Sequence, residues 1–205
     1  MVRMLMRFAL ILLPCSTLYA QCPVSPPFDG MMLSASDFTG TPMKVEIDEP
    51  PIASGLRSPV SPAIYSQRRV WQSNDSMSPV FQLYDIRLVF TSSRQASEFL
   101  KTKSMIKFLS EGAPKESELM AEGVEVAVYG PRNKQIEDLA ATLGIPTDKF
   151  KAYAYVFQYQ NVVGKVFIQK NLDTVSPMTS RSVLPLASTA IRRTKMFCSL
   201  EGGHP

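Results

Sequence analysis

Few side chains in this chain are suited to chemistry. The single histidine, His204, lies in the terminal stretch Glu201-Gly202-Gly203-His204-Pro205. A Ser–His or Cys–His nucleophile needs a base oriented by a third group, and the last residues of a chain are poorly anchored. No Gly-x-Ser-x-Gly elbow, Walker loop or Gly-x-Gly-x-x-Gly turn occurs, and no Cys-x-x-Cys or His-x-x-x-His spacing offers zinc ligands. Two carboxylates working as acid and base are the hydrolytic chemistry left. The pairs available are Glu116 with Glu118, Glu122 with Glu125, and Glu137 with Asp138. All fall in polar stretches, where a solvated surface is the expectation. Eleven methionines include Met1, Met4 and Met6 at the start and Met31-Met32 further on. Without histidines beside them, thioethers are expected to fill gaps in a core. The reading is therefore non-enzymatic, with no metal and no cofactor.

The first residues carry an address. Met1–Arg7 is basic, Phe8–Leu13 is apolar, and Pro14–Ala20 ends on a small residue. That layout predicts a signal peptide over 1–20, with cleavage after Ala20. The apolar run is far short of the about 20 residues a membrane helix needs. The mature chain is thus expected in the periplasm or secreted, with no transmembrane segment. Losing Arg3 and Arg7 lowers 22 basic residues to 20 against 18 acidic ones, so net charge gives no case for nucleic acid. Of three cysteines, Cys15 leaves with the signal. Cys22 and Cys198 remain and are expected to form a disulfide in an oxidising compartment. Closing so long a loop contributes on the order of 4–5 kcal/mol in the chain-entropy model.

Three regions follow. Residues 21–66 are rich in proline, which fixes φ and removes an amide donor, so they read as an irregular arm with one short strand at Met43–Ile47. Residues 67–198 read as an α+β domain, and 199–205 as a flexible tail. Within the domain, Val80–Thr91 alternates with period two. Tyr84, Ile86, Leu88 and Phe90 share one face, and Asp85 and Arg87 share the other as an expected surface pair. Ser92 and Gln95 fit a capping box for a helix running to about Ser110. Lys115–Ala121 reads as a further helical turn, and Val124–Tyr129 as a strand. Asn133 starts a helix with Ile136, Leu139, Ala140 and Leu143 at helical spacing. Phe150–Gln158 and Val162–Lys170 form a hairpin. Pro185 is expected in the first turn of a last helix, with Ala187, Ala190, Ile191, Thr194 and Cys198 on one stripe. The fold class expected is α+β, a mainly antiparallel sheet with about three helices packed on one side and preceded by the Pro-rich arm.

Two surfaces are candidates for binding. If Ala152, Ala154 and Val156 face the helices, then Tyr153, Tyr155, Phe157 and Tyr159 line the other sheet face and present rings to a protein partner. Arg192, Arg193 and Lys195 complement the dipole of the last helix, and the same charges suit contact with an acidic membrane surface. Asn74-Asp75-Ser76 is a glycosylation acceptor sequence in an expected turn.

Gln160-Asn161-Val162-Val163-Gly164 resembles the Gln-x-Val-x-Gly hairpin loop of cystatins, secreted inhibitors of papain-like proteases. The resemblance implies that Gln160, Val162 and Gly164 wedge into a protease cleft. No Pro-Trp second wedge follows, and the chain ends in a helix where cystatins have strands. The leading expectation is an exported binding or accessory domain of an envelope or secreted assembly. A cysteine-protease inhibitor and a small hydrolase using paired carboxylates are the alternatives.

Overall fold

The computed structural model describes residues 21–38, 43–53, 63–75, 78, 80–131, 137–138, 141–144, 151–170 and 178–201. The expected signal segment 1–20, His204 and the rest of 202–205, Ser76 of the acceptor sequence, and Ile136, Leu139 and Ala140 lie outside them. Seven strands form one antiparallel sheet in the order β1-β2-β3-β7-β6-β5-β4. They are β1 (Met43–Ala53), β2 (Tyr65–Ser73), β3 (Val80–Val89), β4 (Lys115–Ala121), β5 (Val124–Tyr129), β6 (Ala152–Tyr159) and β7 (Val162–Lys170). Among the described residues, α1 (Ser93–Leu100), α2 (Lys103–Leu109) and α3 (Ser180–Glu201) are α-helices, residues 137–138 and 141–142 are also helical, and α3 carries the chain past the expected tail boundary at 199.

The strand at Met43 is longer than expected and pairs with β2, so the sheet takes in residues assigned to the irregular arm. Lys115–Ala121 is a strand, which corrects the helical turn expected there. Its Lys, Glu, Leu, Met and Ala are good helix formers. The two residues that follow decide otherwise: Glu122 and Gly123 both have left-handed φ, 53° and 73°, and the tight hairpin turn between antiparallel strands needs positive φ at both positions. The helix expected over Ser92–Ser110 is two. The amides of Lys101 and Thr102 bond back to Glu98 and Phe99, and Thr102 is extended. Ser92 caps α1 by accepting from the Gln95 amide at 3.2 Å, while the Gln95 side chain turns to Thr91, so only half the capping box forms. Helix α3 starts earlier than Pro185 because Thr179 and Ser182 cap each other's amides at 3.1 and 3.0 Å.

Helices cover both faces of the sheet, which corrects the one-sided arrangement. On one face Trp71, Leu83, Tyr153, Tyr155, Phe157, Val166 and Ile168 pack under Val183, Ala187, Ala190 and Ile191 of α3, and under Leu33 and Phe38 from the N-terminal arm. On the other, Ile86, Leu88, Ala154, Val156, Val163 and Phe167 pack under Ala96 and Phe99 of α1 and Leu109 of α2. Along β6, Ala152, Ala154 and Val156 face α1 and α2, while Tyr153, Tyr155 and Phe157 face α3. Strand β6 is buried on both faces because its small apolar residues and its large aromatic ones alternate, and each set finds its own helical cover.

Gly164 lies opposite Phe157 in the β6–β7 register and opposite Arg87 in the β3–β7 register. A Cβ on Gly164 would lie 2.1 Å from Cζ of Phe157, because the ring crosses the glycine and reaches the Arg87 guanidinium, 5.3 Å from its centroid. Gly164→Val is therefore expected to destabilise the fold by about 2 kcal/mol, as overpacking does. Urea denaturation of the disulfide-bonded protein measures it, and unchanged stability would mean the ring does not occupy that slot.

Candidate functional site

Five buried polar side chains, Gln67, Asp85, Arg87, Asn161 and Thr194, gather around the N-terminal arm, residues 22–38. Arg87, fully buried on β3, directs all five guanidinium N–H groups at protein acceptors. Nε donates to Thr194 Oγ1 at 3.1 Å. Nη1 donates to Asp85 Oδ1 and, at 3.0 Å, to the Ile86 carbonyl. Nη2 donates to the carbonyls of Met31 at 3.2 Å and Ala190 at 3.3 Å. Asp85, equally buried, accepts the Leu33 amide on its other oxygen at 2.6 Å. From β2, Arg69 donates to the Leu33 carbonyl at 2.9 Å and grips Asp48 with two bonds of 2.9 and 2.8 Å. The surface pair expected at Asp85 and Arg87 is thus a buried one, held there because main-chain groups of the arm and of α3 complete its hydrogen bonds.

Further along, Asn161 takes Cys22 as a neighbouring strand would. Its Oδ1 accepts the Cys22 amide at 2.8 Å, and its Nδ2 donates to the Cys22 carbonyl at 3.2 Å and to the Phe90 carbonyl at 2.8 Å. Cys22 is bonded to Cys198, with Cα atoms 4.4 Å apart, and both cysteines are buried. At the arm's far end Asp37 receives Arg193 of α3 at 3.0 Å and the Ser34 amide at 2.7 Å. Burial alone would raise the Asp37 carboxyl, but the bonds from Arg193 and Ser34 outweigh it and hold it below its ordinary value. The arm is therefore a built part of the fold, fixed at Cys22, Met31, Leu33 and Asp37.

The expected binding residues fall elsewhere than at a surface. Tyr153, Tyr155 and Phe157 are buried beneath α3, and the Tyr155 hydroxyl donates to the Ser180 carbonyl. Burial pushes the Tyr155 phenol well up from its ordinary value. These three present no rings to a partner, which corrects the aromatic surface. Tyr159 alone is half-buried, with the Lys195 ammonium 5.9 Å from its ring centroid. The cystatin-like wedge also does not form. Val162 is fully buried, Gly164 is the slot for Phe157, and Gln160 Oε1 is buried without a donor among the described residues. The turn lies beneath Cys22 through Asn161, a residue the sequence reading passed over.

The carboxylate pairs do not converge. Glu116 and Glu118 are exposed on the edge strand β4, where Glu116 accepts from Ser180 at 3.2 Å and Glu118 pairs with Lys115. Glu122 meets Arg192 at 3.1 Å, while Glu125 is exposed on β5. Glu137 and Asp138 belong to a helical turn, where Leu143 is exposed at 62 % and so departs from the apolar face expected of it. On the other sheet face Lys165, 1 % exposed, donates to the Phe108 carbonyl at 3.2 Å and to Glu111. Desolvation lowers its pKa, against the pull of Glu111. A groove of about 240 Å³ opens beside the disulfide, walled by Pro23, Pro26, Pro27 and Phe197. The one carboxylate in it, Asp29, is already bonded to Gln67 and Arg69.

Among the described residues no group of three or more His, Cys, Asp or Glu side chains is placed to hold a metal ion, and no helix is long and apolar enough to cross a membrane. No protein-family model, curated protein or solved structure matches this chain.

Removing one partner of a buried ion pair leaves the other charge uncompensated. Arg87→Met is expected to cost about 3–5 kcal/mol. Combined with Asp85→Leu, the loss should fall short of the sum of the two single losses by about 1–3 kcal/mol. A denaturant double-mutant cycle reads this coupling, and strictly additive losses would contradict it.

Proposed function

We infer that the chain works outside the cytoplasm as a disulfide-closed accessory or binding domain of an envelope or secreted assembly. The observation that carries this reading is the Cys22–Cys198 bond, which ties the second residue after the expected cleavage point to the last helix across 176 positions. Such a bond persists in an oxidising compartment and is rare where glutathione keeps thiols reduced. The chain-entropy model gives it about 5 kcal/mol, comparable to the whole net stability of many domains. The most buried polar side chains support a binding role over a catalytic one. Asp85, Arg87 and Asn161 are engaged with the chain's own main-chain groups, which leaves their chemistry structural. A partner meets the outer surfaces in place of the β6 aromatics.

The test is to express the full chain with a C-terminal tag in its own cells and recover it under non-reducing conditions. The expected product begins at Gln21, carries a Cys22–Cys198 linked peptide by mass mapping, and comes from the envelope or the medium. It also elutes with a stoichiometric cross-linkable companion. An uncleaved chain with free thiols in the cytosol would sink the reading.

A further inference from the structure

The basic residues expected to complement the dipole at the end of the last helix lie well before the end of α3, which has no basic residue in its last turn, and all three are engaged: Arg192 with Glu122, Arg193 with Asp37, and Lys195 with the Glu122 carbonyl. The opposite face of the molecule differs. Lys101 closes α1, and Lys103 and Lys107 stand one turn apart on α2. All three are exposed, and among the described residues none has a charged partner. The acids nearest in sequence are occupied, Glu98 by Arg94 and Glu111 by Lys165. Like charges four residues apart destabilise a helix, and a helix of seven residues has little stability of its own to lose. Beside Lys107 the ring of Phe108 is 52 % exposed. Its position is fixed from behind, where the buried Lys165 ammonium lies 5.2 Å from the ring centroid and bonds to the Phe108 carbonyl.

We propose that α2 with Lys101 is a docking surface for a bilayer leaflet rich in anionic headgroups. The lysines meet the headgroup charge, and Phe108 enters the interface on the flank of α2 next to Lys107. Charge complementarity selects an acidic partner. The exposed ring beside those charges favours a lipid surface, because Phe next to lysines lodges at the boundary between headgroups and acyl chains. This inference rests on the exported reading, which brings the protein to a membrane face, and it names one partner of that accessory domain. The attachment is reversible and salt-sensitive, since exposed charges are screened beyond about 8 Å at physiological ionic strength.

The test uses the oxidised mature protein and sedimentation with vesicles of phosphatidylglycerol and phosphatidylcholine, against phosphatidylcholine alone. Binding is expected with the acidic vesicles only. Each lysine near an anionic surface contributes roughly fivefold, so replacing Lys101, Lys103 and Lys107 together by Glu should weaken it by about a hundredfold or more. Thermal melting checks that this variant stays folded. In a second variant, Phe108→Trp, the indole emission should shift to the blue on the acidic vesicles, over the constant background of buried Trp71. Equal binding to both vesicle types, no loss on charge reversal, or no emission shift would overturn the proposal. So would capture by polyglutamate without capture by vesicles. If vesicle binding fails while the linked, signal-cleaved chain still carries its companion, the lipid surface falls and the exported reading stands.

Discussion

A guanidinium with every N–H turned to protein lies where the arm, the sheet and the last helix meet. Moving such a charge out of water costs several kcal/mol, and the cost is offset only when the counter-charge and all remaining donors are satisfied together. For Arg87 that requires Asp85 and Ile86 from its own strand, Met31 from the arm, and Ala190 and Thr194 from α3. No two of the three elements suffice. The arm thus docks as part of one cooperative unit, although its composition is that of a loose lead-in. The disulfide acts on the same assembly by a different route. It limits how far Cys22 and Cys198 separate in the unfolded chain, and so keeps the two most distant contributors to the Arg87 site near each other.

Much of this was legible in the residues. The period-two run of β3, the β6–β7 hairpin, the apolar stripe on α3 and the pairing of Cys22 with Cys198 all follow from local pattern and cysteine arithmetic. What was lost has physical causes. In β6 both alternating sets are apolar, so the pattern separates two faces without saying which one water touches, and Tyr153, Tyr155 and Phe157 went to α3. On β3, Asp and Arg two apart look like a solvated face. Their burial depends on carbonyls and amides more than 50 residues away in sequence, which no local pattern reports. In Lys115–Ala121 helix propensity lost to a turn that only Glu122-Gly123 announces.

The same logic explains why the cystatin-like stretch is part of the frame. Gln160 turns the chain with φ 51°, Asn161 receives Cys22, and Gly164 makes room for the ring that faces Arg87. Each of the conspicuous residues of that loop has a packing duty. The short helix α2, on the side of the sheet away from the disulfide-tied helix, instead carries exposed lysines that have no charged partner among the described residues.

The dependence of the fold on the docked arm is tested most directly by native-state amide exchange of the oxidised protein. The amides of Cys22 and Leu33, bonded to Asn161 and Asp85, should exchange only by global unfolding, at the same free energy as central amides of β3. Exchange of those two amides at the rate of an exposed loop, with β3 still protected, would show that the arm comes away alone and would contradict the cooperative assembly described here.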